Sequence, residues 1–172
     1  MRQRMKIVFA LLMAVVAGNT VAQSQLSTNQ LTIIGKVKNE KVLTLDEIRK
    51  FPSSLLSDVN TSCSPRKTEN SKSLRVVLLK NILDSVKFSY ESSKTLGQFY
   101  FLFVSSDNYK TVFSFNEIYN TETGNQLYIV TEMDGKKMEE MENRILLLST
   151  RDIKGGSRNL KGLSRIEVRS AE

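Results

Sequence analysis

Residues 99–120 read FYFLFVSSDNYKTVFSFNEIYN, and this stretch decides the fold. Phe99 to Val104 is an unbroken run of aromatic and aliphatic side chains, long enough for a strand and too short for a buried helix. It predicts a central strand with both faces covered. Asp107 and Asn108 tolerate the positive φ of a tight turn, and after them Tyr109, Thr111 and Phe113 alternate with Lys110, Val112 and Ser114. The two runs are therefore expected to pair antiparallel. Ser114 followed three residues later by Glu117 is a capping-box signature, which predicts a short helix carrying Phe115, Ile118 and Tyr119 where the hairpin ends.

Working outward, the same grammar recurs on both sides. Leu31 and Ile33 mark a first strand interrupted at Gly35, where a bend is expected, with Val37 beyond it. Thr44 and Glu47 form a second capping box, opening a helix with Leu45, Ile48 and Phe51 inward and ending before Pro52. Residues 58–63 read as a strand leading to Cys63, and residues 64–73 as a polar, basic loop. Val76, Leu79, Leu83 and Val86 have helical spacing, so residues 74–86 are expected to form a helix. Strands follow at 126–132 and 145–149, the first closed by an Asp134-Gly135 turn. Gly155 and Gly156 open a loop carrying Ser157 and Arg158, and Leu160, Leu163, Ile166 and Val168 supply one last strand.

The N-terminus carries a different signal. Arg2, Arg4 and Lys6 precede an apolar stretch over 7–17, and Thr20-Val21-Ala22 offers small residues for cleavage, so residues 1–22 read as a secretory signal peptide. A spanning helix needs about 20 apolar residues, and none is expected after cleavage. Residues 23–30 then form a flexible polar leader, and 31–170 a single domain. The location implied is periplasmic or secreted. The chain carries 25 Lys and Arg against 18 Asp and Glu, net +7. Removal of residues 1–22 takes away three cations and no acid, leaving +4. Export argues against nucleic acid as a partner. The single cysteine allows no internal disulfide, so stability must come from an ordinary hydrophobic core.

Six segments in order carry a resemblance: Leu31 to Gly35 (LTIIG), Leu43 to Ile48 (LTLDEI), Val77 to Leu83 (VLLKNIL), Ser106 to Tyr109 (SDNY), Glu132 to Gly135 (EMDG) and Lys161 to Val168 (KGLSRIEV). Together they resemble the molybdopterin-binding domain of sulfite-oxidase-type oxidoreductases, in its short exported versions. The resemblance implies an α+β fold with mixed sheets and short helices. It also implies a molybdenum-molybdopterin cofactor, with Cys63 at the place of the thiolate metal ligand and Ser157, Arg158 and Lys161 in its cofactor-gripping loop. A soft, deprotonated sulfur and fixed cations are what metal and phosphate require.

The departures from that pattern are as specific as the matches. Ser64-Pro65-Arg66 follow Cys63 where the family has small residues and an asparagine, and Leu74-Arg75 replace its tryptophan-glycine. The chain has no tryptophan and no histidine, which removes the commonest general acid-base group. Two readings of Cys63 stay open, a molybdenum ligand or a small half-buried thiol left from ancestry. The departures favour a protein that binds an unknown small ligand or an exported protein partner without redox turnover. An active molybdenum-pterin oxidoreductase is the alternative, and a polyanion-binding adhesion module using residues 66–75 is a third reading. Tyr100, Tyr109, Tyr119 and Tyr128 read as core or rim of the sheets, and Glu139, Glu140 and Glu142 as hydrated surface.

Overall fold

The computed structural model describes residues 28–57, 73–153 and 156–171. Among these residues the strands form two sheets. The first has the order β2 (Lys41–Thr44), β1 (Gln30–Gly35), β11 (Leu163–Ser170), β5 (Phe99–Ser105) and β6 (Lys110–Ser114). The second has the order β10 (Leu160–Lys161), β9 (Leu146–Ser149), β7 (Leu127–Met133), β4 (Leu74–Leu78) and β3 (Ser53–Leu56), with β8 (Lys136–Lys137) also paired to β7. In the first sheet β1 runs parallel to β11 and the other pairs are antiparallel, so that sheet is mixed. The second is antiparallel throughout its described pairs. With three short helices, α1 (Leu45–Arg49), α2 (Leu79–Leu83) and α3 (Phe115–Tyr119), this is an α+β domain.

The expected hairpin forms with Phe101 opposite Phe113 and Phe103 opposite Thr111, and Asn108 takes the positive φ of its turn, 67°. Because side chains alternate along a strand, Phe99, Phe101 and Phe103 all face inward and are buried. The other face of β5 is less covered than expected: Tyr100 and Leu102 are half-buried, beside an Arg165–Glu167–Arg169 charge ladder on β11. Both capping boxes close as read. Thr44 and Ser114 each accept from the backbone N–H three residues on, and Glu47 and Glu117 reach back to the cap N–H groups at 2.8 Å. This satisfies donors that the first turn of a helix leaves unpaired.

One core joins the sheets. Leu31 and Ile33 of β1, Phe101 and Phe103 of β5, and Ile166 and Val168 of β11 pack with Val77, Ile129 and Leu147 of the second sheet and with Ile48, Ile82 and Ile118 of the helices. A smaller cluster of Leu74, Val76, Val130, Leu146 and Leu148 lies apart from it. Each large side chain so buried contributes about 1.5–3 kcal/mol.

Two expectations are corrected. Residues 74–86 are not one helix: 74–78 form β4 between β3 and β7, and the helix is confined to Leu79–Leu83. Val76 and Val77 are β-branched and fully buried in a strand with partners on both sides, and that pairing outweighs a helical spacing shared with Leu79 and Leu83. Nor is 160–168 one strand. Gly162, at φ +63°, breaks it into β10 in the second sheet and β11 in the first, so the chain changes sheets there. Strands β2 and β3 were not anticipated, and the strand expected over 58–63 lies outside the described residues. No described helix is long and apolar enough to cross a membrane. Residues 1–22 and most of the leader also lie outside the described residues; β1 starts at Gln30, and the Thr28 hydroxyl donates to the Leu163 carbonyl at 3.1 Å.

The bend expected at Gly35 is tight. Its φ is +95°, and a Cβ there would sit 2.3 Å from the carbonyl oxygen of Val168. At Gly162 a Cβ would meet only the Ser106 hydroxyl, a side-chain end, at 2.8 Å. Gly35→Ala is therefore expected to cost about 2–3 kcal/mol of unfolding free energy, and Gly162→Ala about 1 kcal/mol, read from denaturant midpoints. Equal costs at the two positions would contradict this packing.

Candidate functional site

The loop before β10 is the part of the expected site that the structure describes. Asn159 is buried, and its side-chain oxygen accepts from the Ser149 N–H at 2.9 Å, which anchors the loop to the end of β9. The Ser157 carbonyl accepts from the Tyr109 hydroxyl at 2.8 Å, tying the same loop to the β5–β6 turn. Between these anchors Arg158 is directed onto the first sheet. Its guanidinium carbon lies 4.2 Å from the centre of the Phe113 ring, a cation–π contact.

Two carboxylates hold that guanidinium. Nε donates to both oxygens of Asp152, at 3.2 and 3.0 Å, Nη2 donates to Asp152 as well, and Nη1 donates to Glu117 at 2.8 Å. The Asp152 side chain is only 9% exposed. Glu117 thus serves twice: one oxygen caps α3 through the Ser114 N–H and hydroxyl, and the other meets Arg158. Burial on its own would push the Glu117 carboxyl up, but the Ser114 N–H, the Arg158 guanidinium and the Ser114 hydroxyl together hold it below the usual carboxylate range. Arg158 is pushed up, chiefly by its hydrogen bonds to Asp152.

This arrangement bears on phosphate recognition. One cation facing two carboxylates carries a local charge of −1, so an incoming phosphate would meet repulsion and would have to displace a bidentate partner. On this side the residues do not fit a phosphate-bearing cofactor. Lys161, at the end of β10, is exposed and makes no ion pair among the described residues. Cys63, Arg66, Lys67 and Lys72 lie outside the described residues. Arg75 is on β4, 3.5 Å from Glu132 of the neighbouring strand. Glu139 binds Arg49, and among the described residues no three potential ligands converge on a metal-sized site. Tyr119 packs on Phe115 and donates to Asp84 at 3.1 Å, a core-rim role as read.

Asp152, Phe113 and the second role of Glu117 were missed. Nothing in the residues signals them: Glu117 and Arg158 are 41 positions apart, and Asp152 precedes Arg158 by six in an irregular segment.

The depressed Glu117 carboxyl contributes stability that is present above its unfolded value, about 4.3, and is lost as pH falls through the folded one. Glu117→Gln preserves the cap and removes the charge. Wild type is expected to melt higher than this variant at pH 7, with the gap closing between about pH 5 and pH 3. A gap independent of pH would exclude the ion pair as its cause.

No family model matches the chain, and no curated protein does. Among solved structures it is similar to the sulfane dehydrogenase SoxCD from Paracoccus pantotrophus, with a TM-score of 0.59 at 12% identity over 83% of this chain and 38% of that one. The chain therefore spans about two fifths of the length of the protein it matches, and at this identity the likeness shows a shared fold.

Proposed function

We propose that this chain is an exported protein built on the sulfite-oxidase-type molybdopterin-binding fold, and that it binds a ligand or a protein partner without redox turnover. The observation that carries this reading is the double carboxylate on Arg158: the cation that the family resemblance assigns to the cofactor is used to hold the protein's own loop. The absence of histidine from the whole chain, which removes the usual proton-transfer side chain near neutral pH, points the same way.

A second reading keeps its place because the fold is shared with a sulfane dehydrogenase. In it the protein is an active molybdenum-pterin oxidoreductase with Cys63 as metal ligand and Ser157, Arg158 and Lys161 against the cofactor. That requires Arg158 to release Asp152 or Glu117. The adhesion reading rests on residues 66–75, of which only 73–75 are described.

Elemental analysis of protein purified from cells that make the molybdenum cofactor separates the first two readings. The binding reading predicts molybdenum well below one atom per chain, unchanged by Cys63→Ser. Stoichiometric molybdenum that is lost in Cys63→Ser would overturn it.

A further inference from the structure

A second cationic feature involves residues other than those of the Arg158 loop, and like charges face each other in it. Val37 and Phe88 form an isolated antiparallel bridge, closed by the Lys38 N–H on the Lys87 carbonyl at 2.8 Å and the Ser89 N–H on the Lys36 carbonyl at 2.9 Å. That register puts Lys38 directly opposite Lys87 and Lys36 opposite Ser89, with all three lysines on the outward face of the bridge. Like charges placed directly opposite are destabilising. None of the three has a carboxylate partner among the described residues; the same holds for the other described lysines, and what marks this place is that Lys38 stands directly across from Lys87.

Beside the bridge runs a shallow cleft of about 430 Å³, lined by Lys38, Val86, Lys87, Phe88, Tyr90 and Leu96. A second cleft of about 300 Å³ adjoins it, shares Val86 and Lys87 and adds Lys41, whose ammonium donates to the Ser85 carbonyl at 3.2 Å. The apolar lining is held in place: the Phe88 ring packs edge-on against Phe101, Phe115 and Tyr119, while Tyr90 is 48% exposed. Segments 36–41 and 85–94 carry five lysines against Glu40 and Glu91; neither glutamate lines the larger cleft, and Glu40 lines the smaller one beside Lys41 and Lys87.

We propose that this cleft binds an acidic peptide segment of a protein partner, with an aromatic side chain seated on Val86, Phe88, Tyr90 and Leu96 and its carboxylates between Lys38 and Lys87. Two joined clefts suit an extended chain. The aliphatic walls at Val86 and Leu96 favour an apolar side chain over the hydroxyls of a polysaccharide. The lysine pair at the mouth of an apolar cleft presents positive charge that the carboxylates of such an occupant would balance. The inference is independent of whether Arg158 meets a cofactor, so its failure would leave the molybdenum analysis untouched.

The test uses a fluorescein-labelled peptide of alternating glutamate and phenylalanine, the same peptide with lysine for glutamate, and a heparin fragment, read by anisotropy on the intact protein. The acidic peptide is expected to bind more tightly than either control and to weaken as salt is raised. Lys38→Glu with Lys87→Glu should lower its affinity at least tenfold, and Tyr90→Ala at least threefold. Lys38→Glu alone should also raise the melting temperature by about 1–2 °C, because it converts a repulsive cross-strand pair into an attractive one. No binding of the acidic peptide, equal binding by the double variant, tighter binding of heparin, or a lower melting temperature for Lys38→Glu would each overturn the proposal.

Discussion

The pairing of β5 with β11 is the constraint on which the rest of the molecule depends. It sets Val168 opposite Phe101 and Ile166 opposite Phe103, so two inward-facing rows meet along the middle of the first sheet. A one-residue slip of β11 would turn its row, Ile166 and Val168, outward while the β5 row stayed inward. The same strand, β11, also pairs in parallel with β1, so one closing segment near the C-terminus joins the N-terminal strand to the central hairpin. Its position determines where the preceding loop can go. Because β10 lies in the second sheet and β11 in the first, the loop before them spans the junction, and Arg158 is delivered onto Phe113 and the start of α3.

How much of this was legible depended on the range of the interaction involved. Both capping boxes and the turn at Asn108 were legible because donor and acceptor lie within three residues and the chemistry is fixed by residue type. That β5 is a strand of the core was legible because six consecutive apolar residues allow few alternatives, although both faces were expected to be covered and Tyr100 and Leu102 are half-buried. β4 was misread because Val76, Leu79, Leu83 and Val86 fit a helix, and the deciding fact is a pair of neighbouring strands, one of them about fifty residues away in sequence. The sheet change at Gly162 has no local pattern, since Leu160 and Leu163 are apolar on either side of it. Arg158 was read as a cofactor contact; its partners in the structure come from α3 and from an irregular segment, and no spacing rule reaches them.

The two cationic features divide the protein's electrostatics. Arg158 is surrounded by the protein's own acids and stacked on its own ring, so its charge is spent on tertiary structure. Lys38 and Lys87 are set against each other beside an apolar cleft, so their charge is left facing outward. The fold is shared with a sulfane dehydrogenase, and a shared fold leaves open what each surface binds.

The central claim is that Arg158 belongs to the fold. A double-mutant cycle on folding stability with Arg158→Ala, Asp152→Ala and the pair tests it most directly. The account predicts that each single variant is destabilised and that the two are coupled by about 1–3 kcal/mol, because Arg158→Ala strands the largely buried Asp152 carboxylate, while Asp152→Ala leaves Arg158 with Glu117 alone. Additive effects with no coupling, or an Arg158→Ala variant as stable as wild type, would contradict it.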